Sequence, residues 1–367
     1  MSKNIVGLVR QSPPIEIGAP FDTSSLEGKT IVITGGASGF GAGFSRRWAE
    51  LGATIIIGDI DSTQGRELID ELRKETGNAS HQFLYCDVTI WQSQVDFFRK
   101  AVELSPNGRL DQVVANAGIE EAGTKLNEPQ NLDQEEPPEP QFKTIDVNLK
   151  GVLYTTHLAL FWLPKAASTS PGFKPDRHLL LIGSVASIIP FAGHIQYSIA
   201  KHGVLGLFRS LRATSFQHGV RVNRKLLLTL RRNHADHKSV LLPYFMDTPM
   251  IHPVGRAFLA GIGMGKHEDV VDAATRFAAD TSVLGRAVAI GPRVKLDDNG
   301  NLLTSEALDA KDISSFEVYA HDFEEVEAFT IRYVKILNAV EAARGYIGWA
   351  GDIVKAICSP FVSRLKG

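Results

Sequence analysis

Continuous apolar runs recur along the chain, and helical stretches separate them. The clearest unit is KTIVITGGASGFGAGFSRRWAELGATIIIGDID at residues 29–61, which contains a β-branched run, a glycine-rich turn, a helical stretch and a second apolar run. Similar runs occur in HQFLYCDV, LDQVVANAG and HLLLIGSVAS. Strands that are apolar throughout are typical of parallel sheets that helices cover on both faces. The sequence therefore predicts an α/β fold with a doubly wound parallel sheet.

The predicted domain occupies residues 29–291, with an extension at each end. We interpret residues 1–28 as an irregular N-terminal arm without the apolar core of a signal peptide. Residues 292–367 are predicted to form a C-terminal helical extension that packs on its own domain or on a partner. Residues 120–141 are acidic and rich in proline, which predicts a solvated surface loop.

Composition narrows the classes of function. The formal net charge is −2, with 44% apolar and 22% charged residues, so the chain has no global field that would attract nucleic acid. Its two cysteines, Cys86 and Cys358, exclude a disulfide scaffold and a cysteine-based zinc site. No run reaches the length of a membrane span. We expect a cytoplasmic protein that binds no nucleic acid and does not span a membrane.

The segment TGGASGFG follows a predicted strand and opens a predicted helix. This is the context in which glycines let the backbone approach a pyrophosphate at a helix N-terminus, as in Rossmann-type folds. Asp59 ends the next strand, where its carboxylate can accept both adenosine ribose hydroxyls and would repel a 2′-phosphate. No Lys or Arg lies in the turn, so we expect NAD. The predicted contacts from this part of the chain are Gly35, Ser38, Gly39, Gly41 and Asp59.

A tyrosine and a lysine stand four residues apart in YSIAK, at Tyr197 and Lys201. On a helix they lie on one face, where the ammonium group is expected to lower the pKa of the phenol and to hold the nicotinamide ribose. Ser184 ends the strand HLLLIGS, and its hydroxyl can polarise a substrate carbonyl. These three residues predict a site for proton transfer to or from a carbonyl or alcohol oxygen.

These motifs together resemble those of the short-chain dehydrogenase/reductase family over about residues 29–291. The resemblance implies that Tyr197 is the acid/base, that Ser184 steadies the substrate oxygen and that hydride passes to or from nicotinamide C4 without a metal. It also implies a homo-oligomer, because members of the family usually form dimers or tetramers. The remaining positions that it assigns are the adenine contact Asp87 in CDVT, Asn116 in NAG, Asn148 in DVNLKG as the holder of a proton-relay water, and Thr248 in PYFMDTPM as the nicotinamide contact.

The substrate pocket is expected to be apolar, because SIIPFAG and MIHPVGRAFLAGIGMG are predicted to line it. Such walls favour a hydrophobic secondary alcohol or ketone, such as a polyketide, steroid or fatty-acid derivative. The tail and PYFMDTPM are similar to fungal secondary-metabolism members of the family. The alternatives are a non-catalytic NAD-binding scaffold or sensor, and an enzyme inactivated by the segment described next.

Residues 224–242 interrupt the resemblance. The family runs from RVN through three residues to a proline, whereas 19 residues separate Asn223 from Pro243 here, an excess of 16. The tract contains five Lys or Arg, which cannot replace buried strand residues without a desolvation cost. We expected it to form a bulging loop after the Val222–Asn223 strand or to impair the protein. A retained intron is a further explanation, because 3 × 16 = 48 nucleotides would stay in frame.

Overall fold

The computed structural model describes residues 15, 19–126, 132–168, 176–214, 237–246, 264–283, 285–296 and 311–318, and five positions between 332 and 343. The strands are β1 Thr30–Thr34, β2 Thr54–Asp59, β3 Gln82–Tyr85, β4 Gln112–Ala115, β5 His178–Ile182, β6 His237–Pro243, β7 Arg286–Leu296 and β8 Lys311–Val318. The helices are α1 Gly39–Glu50, α2 Ser62–Thr76, α3 Trp91–Leu104, α4 Lys143–Ile145, α5 Val152–Trp162, α6 Ile195–Thr214 and α7 His267–Ala279. A wide π-type turn, Asp146–Gly151, joins α4 to α5. Short 3₁₀ turns cover Ser24–Leu26, Leu163–Ser168 and Val185–Ser187.

The eight strands form one sheet in the order β3-β2-β1-β4-β5-β6-β7-β8. All pairs are parallel except the last, in which β8 runs antiparallel to β7. The strand order reverses between β1 and β4, and crevices at such a reversal bind ligands in open α/β sheets. The predicted doubly wound α/β fold is confirmed.

The central strands contribute alternate side chains to two separate cores, which explains why those strands are largely apolar. One face packs against α1, α2 and α7, with Ile31 and Ile33 of β1 among its buried members. The other face packs against α3, α5 and α6, with Val32 of β1 among its buried members. Successive side chains on a strand point to opposite faces, so a sheet covered on both sides needs apolar residues at every position.

The C-terminal boundary differs from the expectation. Strand β7 continues past Gly291 to Leu296, and Lys311–Val318 adds a strand where we expected only helix. A buried ion pair of 2.8 Å between Arg286 and Glu317 joins β7 to β8. Five described positions between 332 and 343 are helical, as predicted for the tail. The described part of the extension therefore contains both strand and helix, and its strand forms the edge of the sheet.

The predicted loop at 224–242 is wrong over its last six residues. His237–Pro243 forms β6 and takes the sheet position that we assigned to Val222–Asn223. Val240, Leu241 and Leu242 are fully buried. This apolar end is the part of the tract that can enter the core without burying a basic group. Residues 215–236, including Val222–Asn223, lie outside the described residues.

We predict that removal of residues 224–239 stabilises the protein. The deletion places Arg221, Val222 and Asn223 directly before Val240, which restores a seven-residue strand that ends at Pro243. It also shortens the connection between α6 and β6 from 22 to six residues, a normal length for such a loop. The lower closure entropy alone should raise the free energy of unfolding by about 1 kcal/mol. Denaturant unfolding of both chains measures the change.

A matched control replaces residues 224–239 with 16 glycine and serine residues, which keeps the length and removes the sequence. A shortened chain that is less stable than the full chain, or that loses an activity which the full chain has, would show that the tract is a working part of the protein. Transcript sequencing tests the origin of the tract, because a retained intron requires mature messages that lack those 48 nucleotides (3 × 16).

Candidate active site

The predicted site residues gather at the carboxyl edge of the sheet, beside the reversal between β1 and β4. Asn116 follows β4 directly and donates from its side-chain amide to the carbonyl oxygens of Thr34 (3.0 Å) and Gly35 (2.7 Å). These bonds tie the end of β4 to the turn after β1. Asn116 therefore braces the glycine-rich turn, and its predicted contact with the cofactor stays a prediction.

The glycine-rich turn is packed so closely that side chains would not fit at two of its positions. Gly35 has a φ of +64°, and a Cβ there would lie 2.6 Å from the Cα atom of Ala117. A Cβ on Gly41 would lie 2.2 Å from the carbonyl oxygen of Gly35. In contrast, a Cβ on Gly39 would meet no heavy atom of the described residues within 4 Å. The open side of the turn thus faces the N-terminus of α1, where a pyrophosphate would fit.

Asp59 ends β2 beside this turn. Its carboxylate accepts from the backbone N–H groups of Ala37 (3.0 Å) and Asp61 (3.1 Å), which fixes its orientation. Ser38 is exposed at the N-cap of α1. Asp61, the neighbouring acid, caps α2 through the N–H groups of Thr63 and Gln64. The carboxylate of Asp59 is therefore the one placed beside the turn, and the residues present fit a nicotinamide dinucleotide.

Two further predicted positions act on the loops that follow strands. Asp87 follows β3 and accepts from the backbone N–H (2.9 Å) and hydroxyl (2.7 Å) of Thr89. Asn148 is buried in the wide turn before α5, and its side chain exchanges two 2.8 Å bonds with the backbone of Ile119. Both side chains therefore fix the backbone of the loops that follow the strands. Their predicted contacts with adenine and with a relay water stay predictions.

Ser184 lies one residue beyond Gly183, which follows β5, and it caps the 3₁₀ turn Val185–Ser187 by accepting from the N–H of Ala186 at 3.1 Å. Its hydroxyl also lies 3.4 Å from the carbonyl oxygen of Pro243, at the end of β6. Hydrogen bonding to the Ser184 side chain lowers the pKa of Tyr197. The structure therefore brings Ser184 and Tyr197 together from two different elements.

Tyr197 and Lys201 lie one turn apart on α6, as predicted. The Lys201 Nζ atom lies 5.6 Å from the centre of the Tyr197 ring and donates to the carbonyl oxygen of Ile182 at 3.0 Å. Burial lowers the pKa of Lys201 to about 8. Burial also raises the pKa of Tyr197, while its hydrogen bond to Ser184 lowers it and the charge of Glu120 raises it.

The expected lowering of the Tyr197 pKa by Lys201 is therefore wrong for this structure. The physical reason is that removal of water from the buried phenol is the largest influence on this pKa and raises it, while the Lys201 ammonium group is bound to a backbone carbonyl. At neutral pH the buried phenol is protonated, which is the form that can give a proton to a carbonyl oxygen.

The loop after β6 is described only in part. Pro243 ends β6, and Tyr244 donates its backbone N–H to the carbonyl oxygen of Ile290 at 2.8 Å. The next residue, Phe245, stacks on Phe191 with ring centres 4.9 Å apart. Thr248 and most of MIHPVGRAFLAGIGMG lie outside the described residues.

Two site-forming residues escaped the sequence analysis. His267 begins α7, and its Nε2 atom lies 3.1 Å from the carbonyl oxygen of Gly39 while its ring stacks on Phe40. Glu121 binds the N-terminus of α6. No local pattern identifies His267, which is 228 residues from Gly39. Glu121 lies three residues after the last residue of the NAG motif, so its position beside the site was accessible from the motif.

The described residues contain neither a metal-binding cluster nor a membrane-spanning helix. Within the described parts of the chain, no three His, Cys, Asp or Glu side chains are grouped as a metal ion would require. None of the described helices is both long and apolar enough to cross a membrane.

Comparison with known proteins identifies the family. Residues 29–226 match the family described as short chain dehydrogenase. The match includes the glycine-rich turn, Asp59, Ser184, Tyr197 and Lys201, and it ends just inside the basic tract.

Individual relatives agree with this match. The chain is 37% identical to 5'-hydroxyaverantin dehydrogenase of Dothistroma septosporum, over 75% of this chain and 88% of that protein. It is 35% identical to 5'-hydroxyaverantin dehydrogenase stcG of Emericella nidulans, again over 75% and 88%. The fold is similar to that of a 3-ketoacyl-(acyl-carrier-protein) reductase from Brucella melitensis complexed with NADH. That likeness has a TM-score of 0.57 and 23% identity, and covers 73% of this chain and 98% of the other.

The order of the motifs, their meeting at one edge of the sheet and the extent of these matches lead to one conclusion. The chain belongs to the short-chain dehydrogenase family and is an oxidoreductase that acts on CH–OH groups.

Proposed function

We propose that the protein is an NAD-dependent oxidoreductase that interconverts a hydrophobic secondary alcohol and its ketone. The observation that carries the proposal is the meeting of Ser184, Tyr197 and Lys201 at the sheet edge that also holds the glycine-rich turn and Asp59. When bound, a nicotinamide cofactor supplies the hydride acceptor or donor. The residues of the chain supply the proton and hold the reacting oxygen.

Each of the three residues has a distinct task in this proposal. Ser184 holds the substrate oxygen, and Tyr197 donates a proton to that oxygen or removes one from it. Buried Lys201 places a positive charge under the phenol ring, which favours the phenolate as it forms. A lysine whose own pKa is near 8 remains mostly protonated at neutral pH, so that charge is present when it is needed.

Asp59 supports the preference for NAD. Its two oxygen atoms are held by backbone N–H groups beside the open side of the glycine-rich turn. A 2′-phosphate on the adenosine ribose would bring a second negative charge to this carboxylate, without a basic residue in the turn to offset it. The similar Brucella melitensis reductase was described as complexed with NADH, which agrees with the proposal.

Aromatic side chains support an apolar and planar substrate. Phe191 and Phe245 form a stacked pair just beyond the end of β6, and Tyr244 packs edge-on against Phe245 with ring centres 4.9 Å apart. Aromatic faces favour offset or edge-on contacts with other rings. The two relatives named 5'-hydroxyaverantin dehydrogenase favour a polyketide alcohol within this class, and with it a place in secondary metabolism.

Exposed apolar residues on neighbouring helices support a homo-oligomer, as family analogy predicts. Leu153 and Phe161 on α5 are 43% and 53% exposed, and Ile199 on α6 is 48% exposed. A second copy of the chain would remove this surface from water.

We also propose a cytoplasmic location, since buried Cys86 is a free thiol. A fluorescent fusion confined to an organelle would contradict it.

For cofactor choice, we expect NAD to bind at least about tenfold more tightly than NADP, or about 1.4 kcal/mol. The reason is the charge of Asp59. Fluorescence titration with both cofactors measures the ratio, and Asp59→Asn should reduce it by admitting NADP. Equal affinities in the unaltered protein would remove Asp59 from its proposed role.

For catalysis, Tyr197→Phe should lower kcat by at least about 100-fold and leave the Kd for NAD nearly unchanged, because the phenol transfers a proton. Lys201→Ala should damage both quantities. Rates are followed at the NADH absorbance band with a panel of hydrophobic secondary alcohols. Tyr154→Phe, on α5, is the matched control. Substantial activity in Tyr197→Phe would require another route for the proton.

For assembly, light scattering of the purified protein should give the mass of a dimer or tetramer. Phe161→Glu should reduce that mass by placing a charge in the buried interface. Leu132→Glu, in the exposed loop before α4, should leave it unchanged. A monomer in the unaltered protein would contradict the proposal.

A further inference from the structure

The helix that carries the catalytic pair begins without a local cap. The residues before α6 are Gly193 and His194, and the His194 side chain lies 3.3 Å from the carbonyl oxygen of Ala192. The first N–H groups of a helix have no intrahelical acceptor and need one from elsewhere. Ser, Thr, Asp and Asn normally supply it from the N-cap position. None of these residue types is at the start of α6.

A carboxylate from a distant loop supplies the missing acceptor. Glu121 accepts from the backbone N–H of Gln196 at 3.1 Å through Oε1 and from that of Tyr197 at 2.8 Å through Oε2. Both oxygen atoms are used, and one of the two donors is the backbone of the catalytic tyrosine itself. A negative charge at this position also interacts favourably with the positive end of the helix dipole.

The segment that carries Glu121 is held in place by further hydrogen bonds. The N–H of Ala122 donates to the Thr144 hydroxyl oxygen at 2.7 Å. The buried side chain of Gln196 donates to the carbonyl oxygens of Thr124 (2.8 Å) and Gln141 (3.0 Å). Thr124 and Gln141 also pair with each other through two bonds of 2.9 and 2.7 Å. The base of the loop at 120–141 is thus closed onto the first turn of α6.

We propose that Glu121 is a positioning residue that sets the Tyr197 hydroxyl against Ser184 by holding the first turn of α6. The sequence predicts a solvated surface loop at residues 120–141, but in this proposal the first residues of that loop position the start of α6. This inference rests on the proposed function, because it needs Tyr197 to be the proton-transfer residue. It concerns kcat rather than cofactor affinity, since the glycine-rich turn lies on other elements and Lys201 is held separately by the carbonyl oxygen of Ile182.

Kinetics of variants test the proposal. Glu121→Ala should lower kcat by about tenfold to 100-fold through misplacement of the phenol. The Kd for NAD should stay within about twofold, because the contacts at the glycine-rich turn are unchanged. Glu121→Gln keeps one acceptor oxygen and should lose less, and it serves if Glu121→Ala fails to fold. Glu135→Gln removes the same charge from the exposed part of the loop and should behave like the unaltered protein.

A second readout is independent of turnover. Amide hydrogen exchange at Gln196 and Tyr197 should become at least about tenfold faster in the Glu121 variants than in Glu135→Gln. If the unaltered chain shows no turnover, the proposed function fails and exchange alone decides whether Glu121 is the cap. Unchanged exchange, an unchanged kcat, or an effect of equal size in Glu135→Gln would each overturn the proposal.

Discussion

The parallel register of the central strands is the constraint on which the site depends. Because β1, β2, β4 and β5 run in the same direction, the residues that follow them meet at one edge. Gly35, Asp59, Asn116 and Ser184 stand at those four strand ends. The two bonds from Asn116 to the turn after β1 fix the point where the strand order reverses. The cofactor turn and the reacting groups are therefore positioned by the same buried sheet.

The proton-transfer groups depend on a second element, α6, whose position relative to the sheet is set at several points. Lys201 fastens its side to the end of β5 through the carbonyl of Ile182. Glu121 and Gln196 fasten its first turn to the loop that follows β4. Burial at this junction raises the pKa of Tyr197 and lowers that of Lys201. Proton transfer therefore depends on the exclusion of water from the start of α6 as well as on the residues that α6 carries.

The sequence predicted the sheet and most of the site because those features are local. Apolar runs determine strands, and TGGASGFG and YSIAK place their residues within one turn or helix. Features that depend on long-range pairing were not accessible. Strand β8 is stabilised by its pairing with β7 and by the ion pair of Glu317. The segment SVLLP is part of β6, and it occupies a central strand position because β5 and β7 pair with it on both sides. The pKa of Tyr197 was misjudged because burial cannot be read from the spacing of two residues.

Isotope transfer tests the central claim, that this sheet edge moves a hydride between a nicotinamide and a carbinol carbon. The protein is incubated with NADH that carries deuterium at both C4 positions and with an apolar aromatic ketone, and the product is analysed by mass spectrometry. The account predicts an alcohol that carries one non-exchangeable deuterium on the carbinol carbon, and no such product with Tyr197→Phe. Alcohol formed without that deuterium, or labelled equally by the Tyr197 variant, would contradict it.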